Sequence, residues 1–110
     1  MQQDDVEYLL EISRDPRPEV RTEAVRELCP CEIKFNSQAV WSRLIEMAKD
    51  SHVSVRQNVL HVICDGSPRE RETEVVQALE GMYQDPDRKL RRQVRQILAR
   101  YKHTGNVNVL

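Results

Sequence analysis

Three segments of this 110-residue chain superimpose when it is shifted by 35 residues, twice, with no insertion. Asp15, Asp50 and Asp85 fall in register, as do Val20, Val55 and Leu90; Arg21, Arg56 and Arg91; and Leu28, Ile63 and Leu98. A fixed period of this size marks a solenoid, in which one unit cannot bury its apolar face alone and must stack on its neighbours.

Each unit reads as two helices. In the first helices Val6, Leu9 and Ile12 repeat as Trp41, Leu44 and Met47 and as Val76, Leu79 and Met82. Spacings of three and four place these on one helical face. In the second helices Val20, Ala24 and Leu28 repeat as Val55, Val59 and Ile63 and as Leu90, Val94 and Leu98, one stripe at i, i+4 and i+8. Alternating β-branched runs are scarce, so no strands are expected. The predicted helices span 4–13, 18–29, 38–49, 53–64, 68–84 and 88–102. Asp15-Pro16-Arg17-Pro18 and Asp85-Pro86-Asp87 separate first from second helices, because proline disfavours helix in the residue before it. Asp65-Gly66 ends the fourth helix, and Asn36-Ser37 caps the third. Ser67-Pro68-Arg69-Glu70 reads as a helix start, with Ser67 as cap, Pro68 at the first helical position and Glu70 completing a capping box.

A two-helix unit with Asp in its turn and Val-Arg five and six residues on resembles the HEAT repeat. The matching positions are Asp15 with Val20-Arg21, Asp50 with Val55-Arg56, and Asp85 with Leu90-Arg91, so the resemblance covers roughly residues 4–102. It implies an all-α solenoid of six helices whose second helices line a concave surface. It also implies that the Asp and Arg residues hydrogen-bond between neighbouring turns. The units are read as about 4–29, 37–64 and 68–102 within one domain over 1–103, followed by a frayed tail over 104–110 that could dock through its Val and Leu residues.

Departures from the period carry the remaining hints. Arg95 stands where the earlier units have Val25 and Leu60, about 100–140° round the helix from the core stripe, on the side where another repeat would stack. Asp5 replaces Val40 and Val75, and Ser13 replaces Ala48 and Tyr83. Polar outer faces of this kind are what terminal repeats need, so an array closed at three units is expected.

Net charge is −1, which gives no global case for nucleic acid. The distribution says more than the sum. Residues 1–37 hold nine acidic and five basic side chains, residues 38–66 three of each, and residues 67–110 six acidic and nine basic. Arg88 to Lys102 contains seven basic residues and no acidic one. The exposed line opposite the core stripe runs through Glu19, Thr22 and Arg26, then Ser54, Gln57 and His61, then Lys89, Arg92 and Gln96. Arg26, Gln57, His61, Lys89, Arg92 and Gln96 are the candidate partner-binding residues. Asp15, Arg21, Asp50, Arg56, Asp85 and Arg91 are read as a structural ladder.

Enzyme chemistry finds little support. The chain has three glycines, no phosphate loop, no nucleophile elbow and no His-Glu-x-x-His, and its histidines 52, 61 and 103 lie apart. Three cysteines without an export signal read as reduced thiols. Cys29, Cys31, Cys64 and His61 could be drawn as a zinc set, but Cys-x-x-Cys is missing, and buried small hydrophobes are the better reading. Trp41 is expected to fill the gap between units one and two, together with Ile33 and Phe35.

No apolar run is long enough to span a bilayer, and no signal peptide opens the chain, so a cytoplasmic location is expected. The expected function is a monomeric, cofactor-free, non-catalytic scaffold that docks an acidic or phosphorylated protein partner. The alternatives are nucleic-acid binding through the basic third repeat, disfavoured by scarce aromatics, and an accessory subunit of a lyase or modification enzyme in which Cys31 or His61 would matter.

Overall fold

The computed structural model describes residues 2–29 and 37–110. Asn36, Cys31, Ile33 and Phe35 lie outside them. Among the described residues there are six α-helices and no strand: α1 (Gln3–Ile12), α2 (Pro18–Glu27), α3 (Gln38–Met47), α4 (Val53–Ile63), α5 (Glu72–Gly81) and α6 (Arg88–Thr104).

Local chemistry sets the helix ends. Asp5 reaches back from the first turn of α1 to the Gln2 N–H at 3.0 Å, so this polar substitution serves as a cap. Pro18 opens α2, where its missing N–H costs nothing. Ser37 Oγ accepts from Val40 N on α3, and Asp87 Oδ2 accepts from Leu90 N at 2.9 Å on α6. Gly66 follows α4 with φ of 84°, and Gly105 ends α6 with φ of 68°, both in the left-handed region.

The third unit starts differently from its expected form. Pro68 precedes a short 3₁₀ turn over Arg69–Arg71, and α5 begins only at Glu72. Ser67 does not cap it. Its N–H and Oγ both donate to Asn108 Oδ1, at 2.8 and 2.9 Å, and its carbonyl accepts from Asn108 Nδ2 at 3.0 Å. The tail is therefore docked and not frayed. Val107 is 3 % exposed, and Leu110 N donates to the Cys64 carbonyl at 3.1 Å.

The helices form two layers, with α1, α3 and α5 in one and α2, α4 and α6 in the other. Between them lies one continuous core built from the repeating stripes, including Val6, Leu9, Leu28, Trp41, Leu44, Val55, Val59, Ile63, Leu79, Leu90 and Val94. Trp41 is buried as expected. Val20 and Leu98, at the outer ends of the second-helix stripes, are only half-buried. The two junctions in the second layer differ. α2 packs closely along α4, whereas α6 stands further from α4. The tail packs beside α6, where Val109 and Leu110 line a cavity with Gln93, Gln96, Ile97 and Arg100, and it reaches the end of α4 through Leu110 N and the Cys64 carbonyl.

Ser13 is not on an outer face. It is fully buried, and Arg43 of α3 satisfies it, with Nε to Ser13 Oγ at 2.9 Å and Nη2 to the Ser13 carbonyl at 2.8 Å. A hydroxyl with such a donor can be buried without penalty, so its polarity did not mark solvent.

Candidate interaction surface on the second helices

The Asp/Arg positions form the most regular polar structure in the molecule. Arg21 Nε and Nη2 clasp Asp50 Oδ2 and Oδ1 at 2.9 and 3.0 Å. One unit on, Arg56 Nε and Nη2 clasp Asp85 Oδ2 and Oδ1 at 2.9 and 3.1 Å. These are bidentate, largely buried pairs that tie each second helix to the turn of the following unit. The remaining guanidinium nitrogen, Nη1, donates to the carbonyl of the Asp in its own unit: Arg21 to Asp15, Arg56 to Asp50 and Arg91 to Asp85, at 2.9, 2.8 and 2.8 Å.

The aspartates do not cap the second helices. The helix N-caps are Arg17, His52 and Asp87. Each Asp instead accepts the N–H of that N-cap residue, two positions on, at 2.9 Å in all three units. This closes an Asx turn that aims the carboxylate at the preceding unit.

The ladder is offset by one unit, so its two ends are unlike. Asp15 pairs within its own turn with Arg17, Nε to Oδ1 at 2.9 Å and Nη2 to Oδ2 at 3.1 Å. The Arg17 hydrogen bond pulls the Asp15 carboxyl down to about 2. At Asp50 burial opposes the charge, but the Arg21 hydrogen bonds and the His52 N–H together outweigh it and leave the carboxyl lowered. At the other end, Arg91 has its carbonyl bond and, among the described residues, no carboxylate.

The six candidate binding residues divide between the units. Arg26 Nε donates to Asn58 Oδ1 at 3.0 Å, Gln57 Nε2 donates to Gln93 Oε1 at 2.7 Å, and Thr22 meets Ser54 at 3.3 Å. In the first two units this face is thus partly spent on joining adjacent helices. His61 is exposed, with Asp65 Oδ2 at 3.9 Å. Lys89, Arg92 and Gln96 of α6 are exposed and join no hydrogen bond or ion pair among the described residues. Arg92 and Gln96 line a groove of about 380 Å³ together with Arg88, Arg91, Arg95 and Ala99. Sequence reasoning read Arg91 chiefly as part of the structural ladder and so left it out of this surface.

The thiols point away from chemistry. Cys29 and Cys64 are buried, and burial pushes the Cys64 thiol up to about 12, far from a thiolate at neutral pH. Among the described residues no cluster of three or more His, Cys, Asp or Glu side chains could hold a metal ion. Among the same residues no helix is long and apolar enough to cross a membrane.

Comparison with the curated proteins and with the solved structures finds no significant match. Comparison with protein families matches the HEAT repeats over residues 6–99, most of the chain and all three units of the ladder. With two stacked layers of helices and an Asp/Arg ladder in 35-residue register, this chain belongs to the HEAT-repeat family.

Proposed function

We propose that the protein is a non-catalytic interaction scaffold that docks an acidic or phosphorylated segment of a protein partner on the exposed, concave face of its second helices. The third unit leads the binding. The observation that carries this reading is the contrast among the six candidate residues: Arg26 and Gln57 are engaged within the fold, while Lys89, Arg92 and Gln96 present unpaired polar groups on a helix with seven basic residues. Such a surface raises encounter rates with an acidic partner and selects against basic ones. A monomer acting in the cytoplasm without cofactor is the setting this reading assumes.

The test is capture of binding proteins from native cell extract at low and high salt by wild type and by the Lys89→Glu/Arg92→Glu double variant. The variant is expected to lose the salt-sensitive partner that wild type retains. The same partner captured equally by both would overturn the assignment of this face. Steep, salt-dependent binding of any duplex or single strand by wild type would favour a nucleic-acid partner instead.

A further inference from the structure

The inner junctions show what an arginine at this position of the repeat does with a ligand. Moved back by 70 residues, Arg88, Arg91, Arg92, Arg95 and Ala99 become Pro18, Arg21, Thr22, Val25 and Cys29 of α2. That is the face α2 turns to α4, where Val25 is fully buried and Arg21 holds the Asp50 carboxylate. On α6 the equivalent face borders the open groove. The Arg91 side chain is anchored there by the same Nη1 bond to a turn carbonyl, at 2.8 Å, that orients Arg21 and Arg56. The Nε/Nη2 edge, which clasps a carboxylate in both inner units, makes no hydrogen bond or ion pair among the described residues. An anchored guanidinium with a vacant fork is a preorganised carboxylate receptor, because its rotamer entropy has already been lost.

We propose that the Arg91 fork receives an Asp or Glu carboxylate from an acidic segment of a partner protein, with Arg88 and Arg92 supplying the surrounding positive field. This rests on the reading above that the ligand is a protein, and it names the atom pair that recognises it. Two stacking occupants fit this surface poorly. A further repeat would bring an apolar stripe against Arg95, which is charged, exposed and packed over the Tyr83 ring at 4.3 Å, where Val25 and Leu60 are fully buried in the inner units. A second copy stacked in the register of a further unit would bring Asp15 to the fork, and Arg17 already clasps both of its oxygens. Among the described residues no carboxylate pairs within the groove: the ion pairs involve Arg17, Arg21, Arg26, Arg43, Arg56, His61 and Arg71, and none of the groove arginines.

The test uses the full chain and a fluorescein-labelled octa-aspartate peptide, followed by fluorescence polarisation. Wild type is expected to bind it, and Arg91→Lys, which keeps the charge but removes the fork, to bind about tenfold more weakly. The Arg88→Lys/Arg92→Lys variant, which keeps both charge and the Arg91 fork, is expected to lose much less. A readout that needs no variant accompanies this: in wild type, the Arg91 side-chain Nε–H resonance shifts on titration while those of Arg21 and Arg56 do not. Equal losses in the two variants, an unmoved Arg91 resonance, absence of octa-aspartate binding, or tighter binding of a phosphoserine peptide of equal charge would each overturn the carboxylate fork. If Arg91→Lys binds octa-aspartate normally while Lys89→Glu/Arg92→Glu abolishes partner capture, the fork fails and the second-helix reading stands.

Discussion

The same arginine, placed three times by the repeat, does different work at the two inner junctions and at the outer face. Arg21 and Arg56 are closed: each spans from its own turn to the next unit's aspartate and is largely hidden from water. Arg91 keeps the anchoring half of this arrangement and lacks the other. The acidic end shows the opposite solution, since Asp15 is paired within its own turn by Arg17 at a position that the later units give to His52 and Asp87. A repeat unit alone therefore does not specify whether its arginine is closed. The carboxylate comes from the following unit.

The largest expected effect that would break this contrast is on stability. Arg56→Ala leaves the Asp85 carboxylate, in a residue only 6 % exposed, without its partner, and removal of one member of such a pair typically costs about 3–5 kcal/mol. Arg91→Ala removes one hydrogen bond to a carbonyl and should cost about 1 kcal/mol. Urea unfolding of the two variants side by side measures the difference; equal losses would mean that Arg91 is no less embedded than Arg56.

A smaller effect sharpens the comparison between the two second-layer junctions. The first is closed by direct packing of α2 on α4, and at the second the tail links α6 to the end of α4. Val107→Ala should then cost about 2 kcal/mol, as expected for a buried aliphatic truncated in a packed site. It should also raise hydrogen exchange in α6 more than in α2. An unchanged melting curve would show the tail to be a passive end.

The smallest effect concerns acid. The Asp50 carboxyl is lowered in the folded state, so its pairing stabilises the fold fully above the unfolded carboxylate value of about 3.9 and is lost as pH falls through the folded value. Asp50→Asn should lower stability at neutral pH and flatten the acid limb below about pH 4. Asp15 is lowered as well, to about 2, but its exposed pair with Arg17 ties together only one turn, so Asp15→Asn should leave melting at neutral pH nearly unchanged. A larger effect at Asp15 than at Asp50 would reverse the expected ranking of closed junction over exposed turn.

Much of this architecture could be read in the chain before any coordinates. The 35-residue register located the six helices, the core stripes and the ladder residues, because stacking repeats the same burial at the same interval. The direction of the ladder was not legible. Periodicity shows that Asp50 and Arg21 recur together but not that Arg21 reaches forward a unit, and that offset is what leaves Arg91 open. Ser13 was misplaced for a related reason: its donor, Arg43, comes from another helix, 30 residues away. The tail was obscure because Val107 and Asn108 are aperiodic, and they are ordered by Ser67 and Cys64, contacts that exist only once α4 and α6 are in place. Cys29 and Cys64 fall on the core side of the helix ends and were legible as buried thiols.

The central claim, two closed forks and one open, is tested most directly by hydrogen exchange at the arginine side-chain Nε–H groups of the free protein, followed by NMR. Arg21 and Arg56, whose Nε–H groups bond to largely buried carboxylates, should exchange slowly, and Arg91 should exchange at a rate close to that of an exposed arginine such as Arg92. Protection of Arg91 equal to that of Arg56 would contradict the account.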